Sequence, residues 1–428
     1  MASLAPQGLA NLSWSFADLA YSDQPLCDAL AAEAIPRLPE FTLQGISNTA
    51  WAFATLHCED NPLLAALASS AIPKLEGSSS RDVVGEQVLD PGGRGLVSGE
   101  RRDRKPSALG LVHMLACADF PGAGALAERA FTVAAAAIAE CFGQDLEKEL
   151  EAIPEPGPRQ LAGEMQPCIL ALQPHACVLW KPPGWTASVG NFDESPEEAS
   201  WRAGSRGRPL QEWVADHFGR SCEVALDAGA QHGLVHRLDR DTSGPLFCAR
   251  SYYGLHRLQL EFAACRVRKH YVCLCLGNVP RSPQLLDSPL LVTGSLGARR
   301  SVVAPHGQRA VTELQRVEHL RGPQDTPVSL VELRLHTGRM HQIRAHLAAL
   351  GHPLAGDLLY GEASAARLCP RLFLHAYALC ADVGDAPLGV ELGLPEDLRG
   401  SLAACLAQDT RARAALRRWM QLREVSSG

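Results

Sequence analysis

The chain reads as two architectures in series: an all-α fragment of helical repeats, an α-solenoid, followed by an α+β domain. Three observations predict this. A repeat with a 37-residue offset fills the first 76 residues. From about residue 165, short apolar strand patterns alternate with amphipathic helical ones. The charge divides at the same place, with 11 basic and 22 acidic residues over 1–164 against 29 and 25 over 165–428. At 428 residues the chain also exceeds what one compact core usually serves.

The repeat is direct. QGLANLSWSFADLAYSDQPLCDALAAEAIPRL (7–38) aligns without gaps on QGISNTAWAFATLHCEDNPLLAALASSAIPKL (44–75). Gln7/Gln44, Asn11/Asn48, Trp14/Trp51, Phe16/Phe53, Pro25/Pro62 and Pro36/Pro73 coincide. Two apolar segments in a period of this length predict helix, turn, helix. Pro25 and Pro62 open the second helix, where a missing N–H costs nothing. Two repeats therefore span 1–76. The polar, Gly-rich stretch 77–106 predicts a disordered insertion. A degraded third copy follows over 107–150, seen in LACADFP (115–121) against LHCEDNP (56–62). Gly110 stands there in place of Trp, so this copy is expected to pack poorly. Residues 151–164, rich in Pro and Gly, predict a linker.

The WSFA and WAFA segments resemble helical repeats of organellar RNA-processing proteins of algae and their relatives. The net charge of −11 over 1–164 disfavours phosphate binding there, because phosphate contacts need Lys and Arg. Protein docking or a scaffold role is the favoured reading of this half. The array begins almost inside a repeat, as expected of a truncated product.

The second half carries the chemistry-bearing motifs. CILALQPHACVLWKPPGW (168–185) predicts two strands joined by a turn and stopped at Lys-Pro-Pro-Gly. PLQEWVADHFG (209–219) predicts a short helix, with Pro first and Gly last. Leu246, Phe247 and Cys248 form an apolar strand after the polar run HRLDRDTSG (236–244). Leu255, Leu258 and Phe262 recur at helical spacing. RKHYVCLCLG (268–277) predicts a buried strand. In SLVELRLHTGRMHQIRAHLAALG (329–351), Val331, Leu333 and Leu335 alternate with Glu332, Arg334 and His336. The chain then turns at Thr337-Gly338 and continues as a helix with Ile343, Leu347 and Leu350 inward, stopped by Gly351. RLFLHAYAL (371–379) predicts a further strand, and 401–428 a C-terminal helical tail.

Bulk properties narrow the function classes. Fourteen cysteines are scattered without any CxxC spacing, which predicts buried, reduced thiols and neither a disulfide framework nor a metal site. No apolar run reaches the roughly 18 residues of a spanning helix, and no secretory signal is visible. The expected location is intracellular, either cytoplasmic or organellar. The net charge is −7, yet residues 229–345 hold 16 basic and 8 acidic residues. Such a local basic excess is the footprint expected for a polyanionic partner.

Four segments in this order, WKPPG, HRLDRDTSG, KHYVCLCLG and HTGRMHQIRAHLAALGHPLAGDLLYG, with RLFLHA behind them, resemble the RluA-type pseudouridine synthases. The resemblance covers about residues 165–400. It implies a mixed, mainly antiparallel sheet flanked by helices, and isomerisation of uridine in structured RNA, rRNA or tRNA, without a cofactor. It further implies that Asp239 is the nucleophile, Arg344 its basic partner, and Tyr271 the ring packed on uracil. Leu372 or Leu374 then supplies an apolar wall, and Arg237 fills the gap left by a flipped base. His236, Lys181, Lys269, His341 and Gln342 complete the substrate-facing set.

The residues support part of this independently. Uridine isomerisation needs a carboxylate kept ionised in an enclosed site, and a nearby Arg lowers a carboxylate pKa that burial raises. Read from its strand alone, Tyr271 is equally a core residue, and Arg344 a surface helix residue. Asp241, followed by Thr242 and Ser243, reads as an ordinary turn that holds the loop carrying Asp239. Lys181 and Lys269 are the only lysines of this half, each within a motif. Trp180, Pro183, Pro245 and Met340 depart from the family pattern, and Pro245 is expected to disturb the strand after the catalytic loop. Two further readings stand beside the enzyme: a catalytically impaired RNA-binding protein on the same fold, and a helical-repeat scaffold.

Overall fold

The computed structural model describes residues 4–18, 24–56, 61–84, 107–118, 122–142, 166–187, 209–282, 285–294, 299–361, 368–384 and 386–422. It divides into two compact units. One comprises residues 1–149 with 252–266, and the other 150–251 with 267–428. The segment 252–266, which sequence order places inside the α+β domain, thus belongs to the helical unit. The expected linker 151–164 lies outside the described residues, as does most of the 77–106 insertion.

The helical unit contains α1 (Pro6–Asp18), α2 (Gln24–Ala34), α3 (Leu43–Leu56), α4 (Asn61–Gly77), α5 (Ser80–Val84), α6 (Ser107–Cys117) and α7 (Ala123–Cys141). Helix α5 lies in the stretch expected to be disordered. The 37-residue repeat is visible as repeated contacts. Gln7 donates to Asn11 at 2.9 Å, and Gln44 to Asn48 at 2.7 Å. Trp14 stacks on Trp51 with ring centroids 4.3 Å apart. The apolar faces of these helices share one core, including Ile46, Phe53, Leu67, Leu75, Leu111 and Phe131.

Gly110 corrects the expectation of poor packing. A Cβ there would lie 2.5 Å from Ser47 Oγ and 2.7 Å from the Ser47 carbonyl oxygen. The glycine is what lets α6 approach α3 so closely, so the loss of Trp ends the aromatic stack without loosening the helices. The helical unit also holds the helix Tyr252–Ala263, whose Tyr253 and Leu260 join its core. Among the described cysteines, Cys27 departs from the expected reduced state, being disulfide-bonded.

In the second unit β1 (Cys168–Leu172) and β2 (Ala176–Lys181) form a hairpin, and α8 (Leu210–Phe218) buries Leu210, Val214 and Phe218. β3 (Gly244–Ala249) then pairs with β2, giving a three-stranded sheet in the order β1-β2-β3. After α9 (Tyr252–Ala263), already placed in the helical unit, come β4 (Arg268–Leu276), β5 (Leu285–Leu286), β6 (Leu290–Thr293), β7 (Arg300–Val303), β8 (Thr312–Arg321), β9 (Pro327–Leu335), α10 (Gln342–Ala349), β10 (Leu374–Asp382), β11 (Pro387–Glu391), α11 (Glu396–Ala403), β12 (Leu406–Ala407) and α12 (Thr410–Gln421).

The larger sheet runs β11-β10-β4-β9-β8-β12, with β5 beside β8. All ladders between the named strands are antiparallel. Parallel pairing among the described residues is confined to isolated bridges such as Ser243↔His375.

Several expectations about this unit are revised. Alternation placed Glu332 outward, but it is 5% exposed. Arg418 of α12 donates to its carboxylate at 2.7 and 2.9 Å, and Trp419 Nε1 donates at 3.1 Å. The expected tail is therefore a structural layer, with Trp419 fully buried in the second core. Leu350, expected inward, caps α10 and is 43% exposed. Pro245 does not break its strand, since it pairs with Trp180 in the β2–β3 ladder. β3 is the outer strand of its sheet, where a missing N–H is tolerated.

Candidate active site

The loop HRLDRDTSG is held from several sides by main-chain and side-chain ties. Thr242 N–H donates to the Asp239 carbonyl at 3.0 Å, closing a tight turn, and Gly184 N–H donates to the Arg240 carbonyl at 2.8 Å. Lys181 is fully buried and gives its ammonium to the carbonyls of Pro182, Trp185 and Arg240 at 3.0, 2.8 and 2.9 Å. Arg371 donates to the Asp241 carbonyl at 3.0 Å and to Ser243 Oγ at 3.1 Å, and its guanidinium pairs with Asp397. Ser243 Oγ in turn lies 3.1 Å from His375 Nδ1. At Gly244, φ is +144° and a Cβ would meet the Ala376 carbonyl oxygen at 2.4 Å, so only glycine lets the loop lie against β10.

Asp239 is thereby fixed at the rim of a pocket lined by Arg237, Leu238, Thr242, Tyr271, Leu335, Arg339, Met340, His341, Arg344 and Leu374, among others. Arg344, from the first turn of α10, places Nη1 3.5 Å from Asp239 Oδ2. His341 Nε2 is 4.0 Å from the same oxygen. Tyr271 reaches the pocket from the middle of β4, between Leu333 of β9 and Ala376 of β10.

The electrostatics follow from burial and these neighbours. Burial disfavours the Arg344 charge, but Asp357 and Asp239 more than compensate and raise its pKa. Burial and the Asp239 carboxylate push the Tyr271 phenol well above its ordinary range, so the ring stays neutral. Burial lowers the His341 pKa against the opposing pull of Asp239. The pocket thus presents a carboxylate beside a permanent cation, with a neutral phenol and aliphatic walls.

The expected site residues divide. Asp239, Tyr271, Arg344, Arg237, His341, Gln342 and Leu374 meet around one pocket. Lys181 does not line it: its ammonium is given to three backbone carbonyls, and its motif is a tie for the loop. Gln342 is at the pocket but only 2% exposed. It bonds Thr337, Arg339, Val311 and Thr312, fixing the turn into α10. His236 Nε2 accepts from Phe247 N–H at 2.9 Å, and burial lowers its pKa to about 3, so it is a neutral brace of the loop. Leu372 is buried and Lys269 half-buried on β4, and neither lines the pocket. Asp241 does not build the turn with its side chain; its carboxylate pairs with Arg240, and the turn is made by the backbone.

Four supporting residues were not singled out from the sequence. Asp357 accepts from Arg344 Nε at 2.7 Å and Nη2 at 2.8 Å, and from the N–H groups of Leu359 and Tyr360. Burial raises its pKa, but Arg344 and those N–H groups bring it below the ordinary carboxylate range. The Tyr360 ring lies 5.1 Å from the Arg344 guanidinium carbon, and its hydroxyl donates to the Ser301 carbonyl. Arg371 and His375 complete the set. The signal was present, since Asp357 and Tyr360 sit in GDLLYG and Arg371 and His375 in RLFLHA, but nothing in those strings shows which group each would meet.

The fold and pocket define a domain in which an Asp, an Arg and a Tyr from three distant segments converge on one pocket of mixed polar and aliphatic lining. Residues 175–349 match the family model of RNA pseudouridylate synthases. The chain is 32% identical over 205 residues to the dual-specificity RNA pseudouridine synthase RluA of Haemophilus influenzae, covering 48% of this chain and 82% of that protein. It is 35% identical over 195 residues to the uncharacterized RNA pseudouridine synthase YhcT of Bacillus subtilis, covering 44% of this chain and spanning 60% of that protein. The solved structure of human RNA Pseudouridylate Synthase Domain Containing 1 aligns with a TM-score of 0.43 and 25% identity, over 63% of this chain and 99% of that one. The chain belongs to the RNA pseudouridine synthase family. Among the described residues no helix is long and apolar enough to cross a membrane.

Proposed function

We propose that this protein isomerises uridine to pseudouridine in structured RNA, rRNA or tRNA, with Asp239 as the nucleophile. The observation that carries this reading is the 3.5 Å approach of the Arg344 guanidinium to the Asp239 carboxylate at the rim of a Tyr271-lined pocket. The reaction breaks the N-glycosidic bond, turns the uracil in place and bonds C5 to C1′. An ionised Asp239 either captures C1′ covalently or assists elimination at the sugar. Arg344 sets a cation beside that carboxylate. Tyr271 gives the freed uracil a flat neutral face, and Leu374 excludes water. Arg237 and His341 stand at the pocket where the flipped nucleotide enters.

The basic excess over 229–345 supplies phosphate contacts. The acidic repeats suit a protein partner better than RNA.

The test is tritium release from RNA labelled at uracil C5. The full chain should release label, and Asp239→Ala should bind the RNA with unchanged salt dependence while releasing none. Salt-sensitive RNA binding with no release by the unaltered chain would favour the non-catalytic reading.

A further inference from the structure

We propose that His113, Cys117 and Cys265 of the helical unit form a binding site for zinc. One ring nitrogen of His113 and the two sulfurs all lie within 4.8 Å of one another. The two sulfurs are 3.9 Å apart, and Cys117 Sγ is 3.9 Å from His113 Nδ1. Tetrahedral zinc with Zn–S of about 2.3 Å requires a sulfur–sulfur edge of about 3.8 Å. The three donors therefore already stand near the corners that an ion would impose.

Local structure explains how they meet. His113 and Cys117 are one turn apart on α6, so their side chains share a face. Cys265 follows the end of α9. There Arg266 N–H donates to the Glu261 carbonyl and Cys265 N–H to the Phe262 carbonyl, the pattern of a Schellman cap. The residue at the turn of such a cap has a left-handed backbone and is usually glycine. Here it is Cys265, with φ of +55°. A cysteine thus stands where glycine is the unstrained choice, and the turn presents its thiol toward α6.

One imidazole and two thiolates suit a borderline-soft ion such as Zn²⁺. Binding replaces two thiol protons and leaves a neutral imidazole, with no change of oxidation state. The fourth position is left to solvent. Cys265 is exposed, which provides an entry path. The ion would clasp α6 to the end of α9 within this unit. The absence of CxxC spacing hid the site, because Cys265 lies 148 residues from Cys117.

The experiment uses the full chain, reduced and stripped with a chelator, then titrated with Co²⁺. The expected result is a thiolate-to-cobalt charge-transfer band with the intense visible bands of a tetrahedral ion, saturating at one equivalent and displaced by Zn²⁺. C117S and C265S should each lose the band, and C380S should keep it. Circular dichroism identifies any variant that fails to fold. For such a variant, zinc protection of Cys265 against alkylation in the unaltered chain replaces it as the readout. No band at one equivalent, a band that survives C117S or C265S, or alkylation indifferent to zinc overturns the proposal. None of these readouts depends on RNA modification.

Discussion

Arg344 turns its Nε–Nη2 edge to Asp357, at 2.7 and 2.8 Å, and so leaves Nη1 to face Asp239 at 3.5 Å. The fork geometry is what aims the guanidinium. In Asp357→Asn, an amide nitrogen replaces one acceptor and repels the N–H it meets. We expect the rate of tritium release to fall about 10- to 100-fold, equivalent to about 1.4–2.8 kcal/mol of transition-state stabilisation. RNA affinity should change little, because Asp357 is buried behind the cation. An unchanged single-turnover rate would falsify this role.

Lys181 predicts a divergence between activity and stability as pH rises. Burial lowers its pKa to about 7, against the opposing pull of Asp239 and Asp241. Above that value the amine has two protons for three carbonyls, and the loop carrying Asp239 loses a tie. Between about 7 and the unfolded value of 10.5 the unfolded chain binds more protons, so this group makes folding stability rise with pH. Activity should therefore decline over a range in which Tm gains from this residue. Lys181→Met should flatten that part of the pH–rate profile; an identical profile in the variant would count against the assignment.

Acid should weaken the same loop from another side. His236 and His375 both have pKa values lowered to about 3, through burial first, then Lys269 for one and Arg371 for the other. Between the unfolded value of 6.5 and about 3 the unfolded chain binds more protons. Stability is thus lost as pH falls through this window, at up to about 1.4 kcal/mol per pH unit for each histidine. Urea midpoints measured across it should drop, and His375→Gln should drop less steeply. Parallel slopes for the two proteins would exclude His375 as a source.

Gly110 gives a prediction opposite to the one the repeat suggests. Restoring the repeat's Trp, or even Ala, at this position should destabilise the helical unit by about 1–3 kcal/mol, because a Cβ collides with Ser47. Thermal unfolding of Gly110→Ala and Gly110→Trp measures this. A raised Tm in either would show that the third copy follows the consensus after all.

Much of the fold was legible because it depends on local pattern. The strand over 268–276 was visible in an apolar run, and the repeat helices in an offset that needs no structure to see. What escaped was set by distant neighbours. Glu332 alternates like a surface residue, but α12 arrives from the other end of the domain and covers it. Lys181 sits in a family motif as plainly as Asp239 does, and only its hydrogen bonds show that it braces the loop and does not line the pocket.

The sequence by itself determined the family and the order of the two architectures, and it pointed to the Asp, Tyr and Arg that line the pocket. Those depend on residue types in fixed strings, which survive without knowledge of contacts. Tertiary structure decided what each polar group does. A buried charge must find its partner, and the partners of Arg344, Lys181 and Arg371 come from segments that only folding brings within hydrogen-bond reach. It also decided how the Asp-rich loop is held: Asp239 faces the pocket because backbone carbonyls, not the side chain of Asp241, hold the turn.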